Sequence, residues 1–191
     1  MKVLAIRHGK VGHVDMQSII KKIEKTGEGS FPEPKLNPKG RKQIRELAKV
    51  LKDRHIVAIY SSPNTRAQES AEIIGKKLEI PVTVDHLLKS VGMSSDLKII
   101  KGFTAKQHGD KTAWQNKWIK NWHGFKQSPV EYLRCIEKMI QKILRLHPKD
   151  NVLIIAHEET IWTLLVLTQR IPFSEAIKEQ VDHASVTEFE F

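Results

Sequence analysis

Val3-Leu4-Ala5-Ile6-Arg7-His8-Gly9 is the stretch whose reading decides the fold. Four apolar residues in a row, closed by a cation and followed by a glycine, read as a buried strand. Its end carries a guanidinium beside an imidazole, and strand ends of open α/β sheets face the crevice where ligands bind. The pair suits an anionic electrophile such as a phosphoryl group. The arginine neutralises the oxygens while an unprotonated ring nitrogen attacks phosphorus. By itself an Arg-His pair is equally a strand cap, so the remaining chain has to decide.

Two more apolar runs end in the same way. Ile56-Val57-Ala58-Ile59-Tyr60 leads into Ser61-Ser62-Pro63-Asn64-Thr65-Arg66-Ala67, which opens a helical pattern, and Val152-Leu153-Ile154-Ile155-Ala156 ends at His157. Three strand ends thus deliver Arg7 with His8, then Arg66, then His157. Apolar runs alternating with helical periodicity predict an α/β fold: one three-layer α/β/α domain over residues 1–191, its mostly parallel central sheet flanked by helices.

The elements follow from spacing. Strands are expected over 2–7, 56–60 and 152–156, with a short edge strand at Pro81-Val82-Thr83-Val84, because proline cannot donate to a ladder. Met16, Ile19, Ile20 and Ile23 predict a helix over roughly 15–26, with Asp15 or a neighbour as its cap. The glycines and prolines of 27–34 predict a loop. A helix after Pro38 buries Ile44, Leu47, Ala48 and Leu51, and one starting at Pro63 turns Ala67, Ala71, Ile74 and Leu78 inward. Leu133, Ile136, Ile140, Ile143 and Leu144 mark another amphipathic helix. Ile161, Leu164, Leu165 and Leu167 make the next one apolar nearly all round, hence buried. Trp114, Trp118 and Trp122 share one helical face, which either packs on the body of the domain or walls a ligand site.

Composition narrows the class. At 191 residues the chain fits one domain with a sizeable core. No apolar run reaches the ~20 residues a membrane span needs, and the four apolar residues after Met1-Lys2 are too few for a secretory leader. One cysteine, Cys135, permits no internal disulfide, so the expected compartment is cytoplasmic. The formal charge of +10 draws polyanions or steers phosphorylated substrates. The lysines are dispersed without a nucleic-acid motif, so a phosphorylated small molecule or phosphoprotein is the expected partner, and nucleic acid is an alternative that rests on overall charge alone. The nine histidines show no recognised ligand spacing, so no metal is expected.

Taken together, these motifs resemble the histidine phosphatase superfamily, also called phosphoglycerate mutase-like. Leu36-Asn37-Pro38-Lys39-Gly40-Arg41-Lys42-Gln43 is similar to that family's approach to its second helix, and Ala184-Ser185-Val186-Thr187 to its closing strand. The resemblance is weakest between about 85 and 150. It implies that His8 is a nucleophile that becomes phosphohistidine and is later released by water. It also implies that Arg7, Arg66 and His157 bind the phosphate, and that no cofactor takes part.

The departures concern contacts and the proton donor. Val11 and Val14 stand where many relatives carry polar phosphate contacts. Ser90, in Asp85-His86-Leu87-Leu88-Lys89-Ser90-Val91-Gly92, stands where the family's usual donor is a glutamate. Glu158 offers a replacement, because the acid phosphatase and phytase branch has its general acid directly after the same histidine. Its other reading is a carboxylate favoured at a helix N-terminus. Asp96 and Glu28 are weaker candidate donors, and Lys10 and His13 are candidate cations near the site. The implied activity is phosphomonoester hydrolysis. The alternatives are a phospholigand binder without turnover and, less favoured, a phosphoglycerate-type mutase.

Overall fold

Strand β1 (Lys2–Arg7) is buried from Val3 to Ile6 and lies between β4 (Asn151–Ala156), parallel to it, and β5 (Val186–Glu190), antiparallel to it. On the far side of β4 run β2 (Ile56–Ser61) and then β3 (Val82–Val84), both parallel, giving the order β3-β2-β4-β1-β5. β3 is the short edge strand expected after Pro81. The computed structural model describes residues 1–13, 33–92 and 125–191, with 18, 21, 25, 118 and 119.

Five helices among the described residues cover the sheet: α1 (Pro38–Val50), α2 (Thr65–Leu78), α3 (Pro129–Leu146), α4 (Glu158–Gln169) and the short α5 (Phe173–Ala176). The period of two along β1 sorts its side chains between two cores. Leu4 and Ile6 pack with Ile44 and Ala48 of α1 and Ala67, Ala71 and Ile74 of α2. Val3 and Ala5 pack with Ile136 and Met139 of α3 and Ile161 and Trp162 of α4. The result is three layers. Each large aliphatic side chain buried this way contributes roughly 1.5–3 kcal/mol before entropy. α4 is buried from Glu159 to Leu165, as its apolar sequence predicts.

Local chemistry sets the helix starts. The Asn37 side chain accepts from the Gly40 amide at 2.8 Å and Pro38 fills the first turn of α1, so the helix opens with a capped end. Ser128 and Glu131 form a reciprocal capping box on α3. The helix expected from Pro63 instead begins at Thr65. Asn64 keeps an extended backbone (φ −69°, ψ 135°) as the N-cap residue, which leaves Pro63 outside.

Gly9 and Gly40 interlock where β1 meets α1. A Cβ on Gly9 would meet the Gly40 carbonyl oxygen at 2.7 Å, and one on Gly40 would meet the Lys10 carbonyl oxygen at 2.0 Å. Only hydrogens fit at that crossing, which brings the end of β1 against the first turn of α1.

Of the expected helix over 15–26 only residues 18, 21 and 25 are described, all three helical; its cap Asp15, loop residues 27–32, Val14, Glu28, Asp96, Trp114 and Trp122 lie outside the described residues. Trp118 is fully buried, packs edge-on against Tyr132 and Phe173, and donates its ring N–H to the Gln127 carbonyl at 3.1 Å. It is a core residue. No described helix is long and apolar enough to cross a membrane.

Candidate active site

The three strand ends finish level. The His8 amide donates to the Ala156 carbonyl at 3.1 Å and the Ser62 amide to the Ile155 carbonyl at 3.0 Å, which carries the ladder one residue past β1 and β2. Residues just beyond these bonds therefore leave the sheet at one edge. His8 and His157 meet there edge to face, with ring centroids 5.3 Å apart. Arg66, on the first turn of α2, reaches both rings: its Nε is 3.0 Å from His8 Nε2 and its Nη2 is 3.2 Å from His157 Nδ1. Residues 8, 66 and 157 thus converge as the sequence expects.

These contacts specify the tautomers, because a guanidinium only donates and a carbonyl only accepts. His8 Nδ1 lies 2.9 Å from the Gly9 carbonyl and must donate to it, leaving the lone pair on Nε2, under Arg66. His157 Nδ1 accepts from Arg66, so its proton is on Nε2 and passes to Ser62 Oγ at 2.9 Å. Ser62 Oγ in turn donates to Asn64 Oδ1 at 3.1 Å. The Asn64 side chain does not cap its own helix. It also accepts from the Ser90 amide at 3.0 Å and donates to Glu33 at 2.7 Å.

Both rings are held neutral. Burial pushes the His8 and His157 pKa values well below the ordinary imidazole value, and Arg66 adds to it by repelling a second cation. Burial also lowers the pKa of Arg66, against the opposing pull of Glu159 and Glu33. The site therefore holds a fixed guanidinium facing two unprotonated nitrogens, an arrangement that can bind an anion and attack it.

Arg7 closes another side. Its Nη1 donates to the Val181 carbonyl at 2.6 Å and pairs with Glu158 Oε2 at 2.8 Å, while its buried Nε has no acceptor among the described residues. Glu158 opens α4, in the first turn, where helix partial charge favours a carboxylate. Lys10 and His13 are exposed, and the Val11 carbonyl accepts from the Asn37 side chain at 2.8 Å. Among the described residues no cluster of three or more His, Cys, Asp or Glu side chains is placed to hold a metal ion.

Several neighbours carry no sequence signal. Glu159 is buried, and its Oε1 accepts from Ser90 Oγ at 2.7 Å and the Val91 amide at 3.3 Å. The residue standing where a donor was expected thus hydrogen-bonds to a carboxylate from α4. Glu33 pairs with Arg66 Nη1 at 3.3 Å. His183 packs its ring 5.2 Å from that of His8. The tripeptide Ser62-Pro63-Asn64 was visible as a motif, but its hydrogen bonds to His157, Ser90 and Glu33 were not.

Comparison with known proteins identifies the family and matches the fold. The sequence model of the histidine phosphatase superfamily (branch 1) matches residues 3–191. A Hydrogenobacter thermophilus protein named "Putative phosphoserine phosphatase 2" is 27% identical over 156 residues, 80% of this chain and 75% of that protein. Among solved structures, a mycobacterial glucosyl-3-phosphoglycerate phosphatase superposes with a TM-score of 0.72 at 21% identity, over 98% of this chain and 88% of its own. Phosphoserine phosphatase from Entamoeba histolytica, a mutant in complex with phosphoserine, superposes with a TM-score of 0.70 at 18% identity, over 100% of this chain and 90% of its own.

Proposed function

The chain belongs to the histidine phosphatase superfamily, and from that footing we propose that it hydrolyses phosphate monoesters through a covalent phosphohistidine on His8. The observation that carries the reading is Arg66 spanning His8 Nε2 and His157 Nδ1, one guanidinium between two neutral imidazoles. Phosphoryl transfer needs little beyond such positioning and charge stabilisation.

In the first step phosphate oxygens displace His8, His157 and Glu33 as the acceptors of Arg66, since anionic oxygens are stronger acceptors than ring nitrogens. Arg7, at the end of the same strand, adds the charge of its guanidinium. The freed His8 Nε2 lone pair forms the N–P bond as the P–O bond to the alcohol breaks. Nδ1 keeps its proton on the Gly9 carbonyl, so the phosphorylated ring carries positive charge against the phosphoryl oxygens. Glu158 takes up the proton of a monoanionic ester as the phosphate draws Arg7 away from it, and passes that proton to the departing alkoxide. In the second step Glu158 takes a proton from water as that oxygen attacks phosphorus, and the N–P bond electrons return to Nε2.

The substrate class is a phosphorylated small molecule or phosphoprotein. Turnover of a chromogenic aryl phosphate by wild type and by His8→Ala tests the reading. Release by the wild type alone, with an acid-labile phosphoenzyme on rapid quench, supports it. Phosphate binding with equal background turnover in both proteins would instead make the chain a phospholigand binder.

A further inference from the structure

The turn before β5 is bonded onto the strand end that carries His8. Arg7 Nη1 donates to the Val181 carbonyl at 2.6 Å, and the Ala184 amide donates to the Arg7 carbonyl at 2.9 Å and the His8 carbonyl at 3.3 Å. His183 Nδ1 lies 3.2 Å from the same His8 carbonyl. Because that oxygen only accepts, Nδ1 is the protonated nitrogen of His183 and its lone pair sits on Nε2. The His183 ring tilts 45° against the His8 ring at a centroid distance of 5.2 Å. Ala184 takes φ 61°, the left-handed region that disfavours any residue with a Cβ. Backbone strain beside a functional side chain, fixed by two bonds to β1, is the mark of a conformation held for its placement.

We propose that His183 is a positioning residue for the nucleophile: it grips the His8 carbonyl and flanks the His8 ring, so that Nε2 stays aligned on phosphorus. This rests on the reading of His8 as the nucleophile. The contact requires only the one N–H of a neutral imidazole, and the surroundings favour that form. Burial lowers the His183 pKa, Arg7 and Lys10 push the same way, and the bond to the His8 carbonyl and the charge of Asp182 oppose them. A second cation beside His8 would also compete with the charge developing on the phosphorylated ring.

Two variants separate positioning from mere packing. His183→Ala removes the donor and the ring, whereas His183→Asn sets an amide N–H where Nδ1 was and removes the titrating group. With p-nitrophenyl phosphate, kcat/KM is expected to fall about tenfold in His183→Ala, as slight misalignment of reacting atoms does, and to return within about twofold of wild type in His183→Asn. In 15N-labelled protein without substrate, Gly9 and Arg66 keep the His8 ring in the Nδ1–H form in all three proteins, and its ring signals are expected sharp in wild type and His183→Asn and broadened by ring motion in His183→Ala. Equal turnover and equal His8 spectra in all three proteins would overturn the proposal. So would a His183→Asn variant no better than His183→Ala. Absence of His8-dependent turnover in the wild type would sink the catalytic reading alone, while the ring spectra would still decide whether His183 orders His8.

Discussion

Arg66 Nε lies 3.0 Å from His8 Nε2, so a permanent cation faces the one lone pair of a neutral ring. The contact has two effects: it aims the ring, and after burial it is the largest influence keeping His8 unprotonated. A nucleophile whose pKa is depressed stays competent as pH falls past the ordinary imidazole value of about 6.5. The acid limb of kcat/KM is therefore expected below that value in the wild type. Arg66→Gln should move the limb upward and lower kcat by about 10²–10³, the usual cost of losing one donor to a developing charge. A pH series with an aryl phosphate reads both. A limb that does not move would leave burial, with the smaller influences of His183 and Arg7, as the control.

Glu158 is held at 2.8 Å from Arg7 Nη1 and is the proposed proton source for the leaving oxygen. General acid catalysis matters in proportion to the basicity of that oxygen. Glu158→Gln is therefore expected to lose about 10²–10³ in kcat on an alkyl phosphate and much less on p-nitrophenyl phosphate, whose phenolate departs unaided. The ratio of the two losses is the measurement. Equal losses on both substrates would assign Glu158 to holding Arg7 alone.

Much of this architecture is local in the sequence, which is why it could be read there. Val3 to Ile6 and Val152 to Ala156 announce strands through unbroken apolar runs, and Arg7, His8 and His157 follow directly from where those runs stop. Asn37 and Pro38 announce a helix start for the same reason. What the sequence hides are polar contacts between distant segments. Ser62 meets His157 across 95 residues, Ser90 meets Glu159 across 69, and His183 meets the His8 carbonyl across 175. Glu159 was also masked by its setting, since a carboxylate opening an apolar helix reads as helix-end charge. Its burial depends on Ser90 and Val91 arriving from another part of the chain.

That burial makes Glu159 a structural liability once truncated. Glu159→Ala leaves Ser90 Oγ and the Val91 amide without their acceptor, and each unmet buried group costs about 1–3 kcal/mol. Glu159→Gln keeps an acceptor oxygen at the same reach. Urea unfolding is expected to show a loss of about 2–4 kcal/mol for alanine and a clearly smaller one for glutamine. Equal losses would mean that the negative charge near Arg66, rather than the hydrogen bonds, is what the fold requires.

The buried imidazoles also tie folding to pH. His8 and His157 have folded pKa values well below 6.5, whereas in the unfolded chain they titrate near the ordinary value of about 6.5. Between those limits the unfolded state binds more protons, so stability is full above about pH 6.5 and falls as the pH drops from there toward the folded values. His157→Gln should flatten this slope without abolishing it, because His8 still contributes. Denaturant midpoints measured from pH 8 to pH 5 give the slope directly. A slope identical in the two proteins would place the linkage elsewhere.

Anion binding carries a proton requirement of its own. In the free protein an anion arriving beside Arg66 meets the His8 Nε2 and His157 Nδ1 lone pairs, and lone pairs repel oxygens. His157 gives its Nε2 proton to Ser62, so it donates to the anion either by gaining a second proton on Nδ1 or by changing tautomer with Ser62 Oγ as the donor, and only the first takes up a proton. Sulfate tests this cleanly, since it neither titrates near neutrality nor reacts. Its affinity is expected to rise as pH falls from 8 to 6, by up to about tenfold per unit for each proton taken up. Calorimetry in buffers of different ionisation enthalpy should register that uptake, and His157→Asn should reduce it. Sulfate bound with no proton uptake at all would mean that Arg7 and Arg66 hold the anion with both rings neutral.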